Sequence, residues 1–313
     1  MVDEARAAAD SIPSGGGSVP GCADQPAFSL FYRADPPLPV LISVPHAGRS
    51  YPATLVARMR HPAAASLRLE DRYVDLVAQA VARATGAALL VAHAPRAMID
   101  LNRAPEDVDW EMVAGGAPAG AMAFSAGRRA RSGLGLVPRR LSGMGEVWRR
   151  RLSASELAER VEHVHRPYHA ALAERLESLR DRWGGALLLD LHSMPPLGAK
   201  RGADPAPDFV IGDRFGASCG SGLAALACDH LAAAGHTVAH NRPYAGGYVL
   251  DRHGAPARGV HAVQVEVCRS TYLDSHLREP DAGLAGVAAA LAGLVQRLAA
   301  ELADQHRLPQ AAE

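Results

Sequence analysis

Hydrophobic residues along the chain form short aliphatic runs and longer segments with helical spacing, and the two patterns alternate as in an α/β protein. Residues 38–44, 87–94 and 186–189 are mostly apolar. Runs of this length that stop at proline or at polar residues are typical of buried strands. Residues 71–83 carry apolar side chains at helical spacing, and Gly86 follows as the expected end of a helix. The alternation predicts an α/β fold with a mostly parallel central sheet.

The second half of the chain continues this alternation. Further strands are predicted at 208–213, 236–240 and 261–267, and further helices at 223–234 and 284–305. Ser153 and Glu156 form a capping-box pattern at the start of another helix, in which Pro167 either introduces a kink or begins a second segment. The last helix is expected to cover one face of the sheet. Solvated helix positions are predicted for His163, His165 and His169.

Two of the apolar runs end in a histidine. His192 follows the run 186–189 by three residues, and His46 follows Val44 and a proline. A single histidine at a strand end is more often a satisfied polar group than a functional one. Because the carboxyl ends of parallel strands meet at one edge of a sheet, we expect these two imidazoles to lie together. Such a pair is the arrangement that a shared metal ion needs.

Three acidic residues are candidates for the same edge. Glu70 and Asp71 precede the helix at 71–83, where they either cap the helix and interact with its dipole or supply one carboxylate ligand. Glu266 lies in the strictly alternating strand 261–267. A glutamate is costly to bury unpaired, so it either faces water on an edge strand or is held in a pocket as a general base.

Arginines and donor-rich loops point to an anionic ligand. Arg96, Asn102 and Arg103 bracket a short apolar run, and a guanidinium matches a carboxylate bidentately. The loop 241–248 is either a pocket wall dense in donors or a plain turn. The segment 106–151 has little periodicity and is expected to be a lid or substrate loop, or else disordered.

Composition narrows the choice of partners and location. The chain has 313 residues, of which 48% are hydrophobic, a formal net charge of +0 and a pI of about 7.3. This net charge of zero gives no reason to expect nucleic acid or an anionic membrane as a partner. Residues 1–26 lack a signal-peptide pattern and are predicted as a disordered tail, with a single domain at 27–313. Four cysteines without a CxxC pair, and an aliphatic segment at 284–295 too short to cross a bilayer, favour a cytoplasmic protein.

Together these residues predict metal-assisted hydrolysis. A catalytic zinc ion takes three protein ligands and keeps one position open, and it acidifies the water bound there. Glu266 could accept the proton of that water and deliver it to a leaving nitrogen. The sequence contains no Gly-x-Ser-x-Gly elbow and no phosphate-binding loop that would favour another chemistry.

Eight ordered motifs between residues 38 and 275 resemble the N-formylglutamate amidohydrolase family. They are VPHAG (44–48), EDRYVD (70–75), RAMIDLNR (96–103), GLGLVPRR (133–140), RPYHAAL (166–172), LLDLHSMPP (188–196), NRPYAGGY (241–248) and GVHAVQVEVCRSTYLD (259–274). The resemblance implies a three-layer α/β/α sandwich similar to that of zinc carboxypeptidases. It also implies one zinc ion per chain and the release of formate from N-formyl-L-glutamate in histidine degradation.

The resemblance also implies roles for individual residues. His46 and His192 correspond to zinc ligands, Glu266 to the general base, and Arg96 to an arginine that stabilises the oxyanion. Asn102 and Arg103 resemble a carboxylate-binding pair. Further substrate-binding candidates within the motifs are Arg139, Arg242 and Tyr244.

One position departs from the carboxypeptidase pattern, which takes a second ligand from His-x-x-Glu. Arg49 stands three residues after His46, so the carboxylate ligand is assigned to Asp71, with Glu70 as the alternative. The expected substrate is a small anionic N-acyl amino acid, foremost N-formylglutamate. The alternatives are an amidase for another N-acyl amino acid or a cell-wall peptide, and a non-catalytic metal-binding sensor with the same fold.

Overall fold

A computed structural model describes residues 12–22, 24–117, 128–200 and 205–307. Its strands in chain order are β1 (Ile12–Gly16), β2 (Phe28–Tyr32), β3 (Val40–Val44), β4 (Ala88–Ala92), β5 (Arg140–Leu141), β6 (Gly145–Glu146), β7 (Ala186–Met194), β8 (Phe209–Gly212), β9 (Val238–His240) and β10 (Val260–Cys268). Eight of them form one sheet in the order β1-β2-β4-β3-β7-β10-β8-β9, and β5 pairs with β6. The four central strands β4, β3, β7 and β10 are parallel, while β1, β2 and β8 add antiparallel pairings at the sides. The prediction of a mostly parallel central sheet is confirmed.

Helices cover both faces of this sheet. They are α1 (Ala53–Arg58), α2 (Pro62–Leu69), α3 (Val74–Thr85), α4 (Arg128–Arg131), α5 (Ala154–Arg160), α6 (Arg166–Trp183), α7 (Ser221–Ala233), α8 (Tyr248–His253) and α9 (Gly283–Arg307). Helices α3, α7 and α9 pack on one face, and α6 packs on the other. The expected three-layer α/β/α sandwich is therefore confirmed.

Alternation along β7 decides which side chains reach each layer. Leu187, Leu189 and Leu191 belong to the apolar layer under α3, α7 and α9. The intervening positions, among them Asp190 and His192, therefore point to the α6 face.

Strand β10 pairs with β7 in register, with Glu266 opposite His192. Its residues Val263, Val265 and Val267 pack in the α9 layer, so Glu266 shares the face of His192. Because β10 lies between β7 and β8, the alternative of a solvated glutamate on an edge strand is wrong.

Helix boundaries follow local signals. Gly86 ends α3 in the left-handed region with φ 76°, as predicted for a C-terminal glycine. Ser153 and Glu156 form both hydrogen bonds of a capping box at the start of α5. A π-helical turn at Val161–His165 joins α5 to α6, so Pro167 lies in the first turn of a new segment. The capping role considered for the acids before α3 is not observed, since no side chain caps that helix.

The N-terminal region departs from the prediction. Residues Ile12–Gly16, expected within a tail, pair antiparallel with β2 along their whole length. The backbone supplies these hydrogen bonds, so a glycine-rich sequence without apolar alternation can still form an edge strand. Residues 1–11 of the predicted tail lie outside the described residues.

Helix α9 is longer than the apolar segment predicted within it. By length and composition it is the one helix in the described ranges that would be able to cross a membrane. Its residues Leu291, Leu294 and Leu298 are buried against the layer formed by α3, α7 and the sheet. The helix therefore packs as a core helix. This agrees with the prediction that the last helix covers one face of the sheet.

Candidate metal centre and active-site pocket

Two strand ends and one loop bring three potential metal ligands together. His46 lies two residues after β3, His192 lies near the end of the neighbouring strand β7, and Asp71 lies between α2 and α3. The backbone N–H of Asp71 donates to the carbonyl of His46 at 2.9 Å, which fixes the loop against the strand end. One nitrogen of each imidazole and one carboxylate oxygen lie within 4.8 Å of one another, and all three residues are buried. The expected proximity of the two histidines is confirmed, with ring centroids 4.7 Å apart.

Both imidazoles turn the same nitrogen toward Asp71. Its Oδ2 lies 3.5 Å from Nδ1 of His46 and 2.9 Å from Nδ1 of His192. The opposite nitrogens donate to other buried carboxylates, since Nε2 of His46 lies 2.7 Å from Asp100 Oδ1 and Nε2 of His192 lies 2.9 Å from Asp190 Oδ2. Such an outer hydrogen bond would orient each imidazole and leave Nδ1 available to bind a metal ion.

The charge balance of this cluster suits a bound cation. Both nitrogens of His192 face carboxylate oxygens, which accept hydrogen bonds. Burial alone would lower the pKa of His192, but Asp190 and Asp71 raise it well above its usual value. Burial alone would raise the pKa of Asp71, but hydrogen bonds from His192 and His46 hold it well below its usual range. A divalent ion can replace the Nδ1 protons and satisfy the same negative charge.

The two outer carboxylates, Asp100 and Asp190, accept further hydrogen bonds that fix their positions. Asp100 accepts from Arg96 Nε at 2.9 Å and from the backbone N–H of Asn102 at 2.8 Å. Burial alone would raise the pKa of Asp100, but Arg96 and His46 keep it well below its usual range. Asp190 accepts from Ser43 Oγ at 3.1 Å. The sequence motifs contain both aspartates, but neither was assigned a role from the sequence.

Arg269 supports Asp71 from behind. It follows β10 and donates to Ser193 Oγ and the carbonyl of Leu67, each at 3.1 Å, and to the carbonyl of Glu70. Its Nη2 also lies 3.5 Å from Asp71 Oδ1. The guanidinium therefore ties the end of β10 to the loop that carries the carboxylate ligand. Sequence reasoning missed this residue, although its position directly after an apolar strand was the signal used for the histidines.

Glu266 is buried beside the group of potential ligands His46, Asp71 and His192, which is called the metal cluster below. It accepts from Gln264 Nε2 at 3.1 Å. Burial raises the pKa of Glu266 to about 7, with His192 opposing the rise and Asp71 adding to it. A carboxyl with a pKa near neutral can both accept and release a proton at physiological pH.

The three potential ligands and Glu266 open into a pocket of about 240 Å³. Its remaining wall consists of five arginines, apolar side chains and the loop before α8. These residues are Arg68, Arg96, Arg103, Arg129, Arg269, Leu69, Leu134, Leu141, Met194, Pro195, Asn102, Ser193, Gln264 and residues 244–247. The pocket is thus cationic except at its floor, where Asp71 and Glu266 lie.

The predicted carboxylate-binding pair lines the pocket but is partly occupied. Asn102 Oδ1 accepts from the backbone N–H of Val249 at 2.9 Å, and its Nδ2 lies 3.4 Å from Nε2 of His192. Arg103 donates from Nε to the carbonyl of Leu134 at 3.1 Å and from Nη1 to the carbonyl of Asn102 at 2.8 Å. Tyr244 also lines the pocket.

Three other predicted residues lie outside the pocket lining. Arg139 forms ion pairs with Asp109, Glu111 and Glu146 at 2.6 to 2.9 Å, which occupy all of its guanidinium nitrogens. Arg242 is exposed on the loop before α8. Glu70, the alternative ligand, accepts instead from Arg72 Nη1 at 3.3 Å.

The segment 106–151 forms part of the pocket wall. Arg129 of α4, Leu134 and Leu141 of β5 contribute to the lining. Residues 118–127, for which a lid was also considered, lie outside the described residues.

Behind the pocket lies a layer of buried histidines, defined by His165, His169 and His253. His169 Nδ1 and His253 Nε2 are 2.9 Å apart, and His169 Nε2 donates to the carbonyl of Leu101 at 3.0 Å. His165 Nε2 lies 2.8 Å from the carbonyl of Arg103. The prediction that His165 and His169 are solvated is wrong, because both lie at helical spacing with Tyr168 and Leu172 on the buried face of this helical segment.

Comparison with known proteins finds similarity to one family over most of the chain. A family model described as N-formylglutamate amidohydrolase matches residues 38–273. The N-formylglutamate deformylase of Pseudomonas aeruginosa is 32% identical over 264 residues, which cover 83% of this chain and 91% of that protein. The N-formylglutamate deformylase of Pseudomonas putida is 33% identical over 240 residues, covering 76% of this chain and 82% of that protein.

A solved structure extends the similarity to the fold. The crystal structure of N-formylglutamate amidohydrolase from Ralstonia eutropha JMP134 superposes with a TM-score of 0.79 at 34% identity. The match covers 89% of this chain and 99% of that one.

Proposed function

The chain belongs to the N-formylglutamate amidohydrolase family, and we propose that it hydrolyses N-formyl-L-glutamate to formate and L-glutamate with one zinc ion per chain. The observation that carries this proposal is the convergence of Nδ1 of His46, Nδ1 of His192 and the carboxylate of Asp71 at the floor of a cationic pocket. Five arginines line this pocket although the chain as a whole has a formal net charge of +0. This local positive charge suits a small dianion.

The donor set fits zinc. Two imidazole nitrogens and one carboxylate are ligands that zinc accepts with a fourth position open, and the outer carboxylates Asp100 and Asp190 supply the support that such imidazoles need. When bound, zinc would supply Lewis acidity toward a carbonyl oxygen and a lowered pKa for water.

Glu266 acts as the general base in this proposal. Its carboxylate lines the pocket beside His192, on the same face of the sheet. It takes a proton from the water that attacks the formyl carbon and then delivers that proton to the departing amino nitrogen. Its buried position keeps bulk water from competing for the proton.

Arg96 stabilises the charge that develops on the formyl oxygen. Its Nε donates to Asp100, which also holds His46, so one carboxylate positions both residues. Its two Nη groups have no partner among the described residues, and Arg96 lines the pocket. Donors held in this way before the reaction need no reorganisation when the oxyanion forms.

Asn102, Arg103 and Tyr244 are the proposed substrate-binding residues of the pocket wall. Arg103 keeps Nη2 free of protein partners in the described ranges, which leaves one charged donor for a substrate carboxylate. A place in histidine degradation and a cytoplasmic location are part of the proposal. The family supports the first, and four cysteines free of disulfides, Cys22, Cys219, Cys228 and Cys268, support the second.

The proposal is tested by metal analysis and formate release on the purified protein. We expect about one zinc per chain, formate from N-formylglutamate, and loss of activity on chelation that zinc restores. A panel of N-formyl, N-acetyl and peptide substrates identifies an amidase for another acyl group. If the protein binds zinc but hydrolyses none of these substrates, the proposal of an enzyme is contradicted and a metal-binding sensor is favoured.

A further inference from the structure

The pocket contains two arginines that have no hydrogen bond or ion pair among the described residues, and we propose that Arg68 and Arg129 form the subsite that recognises the side-chain carboxylate of the substrate. This inference rests on the proposed function and adds the residues that set its specificity. Neither arginine was a candidate from the sequence, which pointed instead to Arg139 and Arg242.

The five pocket arginines divide into two groups by what they already bind. Arg269 and Arg96 are engaged by buried groups, the first by Ser193 and two carbonyls and the second by Asp100. Arg103 donates to two carbonyls. These three are held by the protein next to the metal cluster.

The second group consists of Arg68 and Arg129. Within the part of the chain that the structure describes, neither side chain has a hydrogen bond or an ion pair, and both are exposed at the pocket wall. Arg139, by contrast, is paired with three acids. Two unpaired cations in one small pocket leave positive charge that an anionic ligand can neutralise.

Arg129 is also close to other cationic and polar pocket groups. Burial lowers the pKa of Arg103, and the positive charges of Arg96 and Arg129 oppose the rise that Asp100 causes. Burial raises the pKa of Tyr244, and the charge of Arg129 works against that rise. Arg129 is therefore close enough to Arg103 for their charges to repel, and a carboxylate bound at Arg129 would relieve this repulsion.

The chemistry of N-formylglutamate assigns its two carboxylates to the two groups. The α-carboxylate sits on the carbon bonded to the reacting nitrogen, so it stays beside the floor, where Arg103 lies. The side-chain carboxylate is two methylenes farther from that carbon and reaches outward. Arg68 at the end of α2 and Arg129 on α4 are exposed lining residues, whereas His46, Asp71 and His192 are buried.

The test is a selectivity measurement with isosteric substrates. N-formylglutamine keeps the size of N-formylglutamate but lacks the side-chain charge. We expect Arg68→Gln and Arg129→Gln each to lower kcat/KM for N-formylglutamate about tenfold, mainly through KM, because each loses a charge-assisted hydrogen bond. Their kcat/KM for N-formylglutamine should stay within about twofold. Arg131→Gln, on α4 but outside the pocket lining, is the matched control and should leave both substrates unchanged.

Several outcomes would overturn the inference. Equal losses on both substrates would indicate a structural role, and no loss on either would place the carboxylate elsewhere. Circular dichroism and zinc content of each variant exclude misfolding as the cause, since both side chains are exposed. If wild-type protein releases no formate from N-formylglutamate, the proposed function fails and this inference fails with it. If wild type is active but the variants keep the wild-type preference for glutamate over glutamine, the inference alone fails.

Discussion

Replacing Asp190 by asparagine tests the support of the metal cluster. Asp190 Oδ2 accepts from Nε2 of His192 at 2.9 Å, within a fully buried site. A hydrogen bond to a charged group contributes about 1.5–3 kcal/mol, against about 1 kcal/mol for a neutral one. Asparagine keeps the shape but loses the charge, so zinc affinity should fall by about 1.4–2.7 kcal/mol, or about 10- to 100-fold.

The assay is a competition titration of zinc against a chelator of known affinity at fixed pH. Ser43→Ala is the matched control, because Ser43 donates to Asp190 Oδ1 without contacting His192. It should weaken zinc binding much less than Asp190→Asn does. A folded Asp190→Asn protein whose zinc affinity stays within about twofold of wild type would refute the reasoning that the outer carboxylate orients the ligand.

Three further predictions address the base, the support of Asp71 and the buried histidines. Glu266→Gln should keep its zinc content but lower kcat about 10²- to 10⁴-fold, and a kcat near that of wild type would exclude Glu266 as the general base. Arg269→Met should weaken zinc binding, measured by the same competition titration, because Asp71 loses the group that fixes its loop; unchanged affinity would contradict this role. Burial lowers the pKa of His253 to about 3 from 6.5, so the unfolded state takes up a proton between these values while the folded state does not. Stability should therefore fall with pH below 6.5, by about 2 kcal/mol from this residue at pH 5. Urea unfolding at pH 7 and pH 5 should show a smaller loss for His253→Gln than for wild type, and equal losses would refute the prediction.

Two of the site residues that the sequence predicted, His192 and Glu266, lie on regular strands, and His46 follows a third strand. The alternation of β10 and the abrupt ends of two apolar runs place Glu266, His192 and His46 at one edge, because parallel strands share that edge. The periodicity of two then fixes the face on which a strand residue lies. These signals depend only on local sequence.

The arginines could not be sorted in the same way. Arg139 and Arg129 both lie in the irregular segment 106–151, and only the tertiary arrangement decides that the first meets three acids while the second lines the pocket. Arg269 shows the opposite case, since its position after a strand was informative but its partners, such as the Glu70 carbonyl, come from a distant loop.

The buried histidines were missed for a related reason. A helical pattern with His165 and His169 among polar neighbours indicates exposure, but both lie at helical spacing with Tyr168 and Leu172 on the face that packs inward. Their partners are backbone carbonyls, which the sequence does not distinguish from any others.

The central claim is that one metal ion is held through Nδ1 of both histidines and the carboxylate of Asp71. Anomalous diffraction at the zinc edge from crystals of the purified protein tests it most directly. The account predicts a single strong peak about 2.0–2.2 Å from Nδ1 of His46, Nδ1 of His192 and an Asp71 oxygen. A peak at other residues, or coordination through Nε2 with Asp100 and Asp190 displaced, would contradict it.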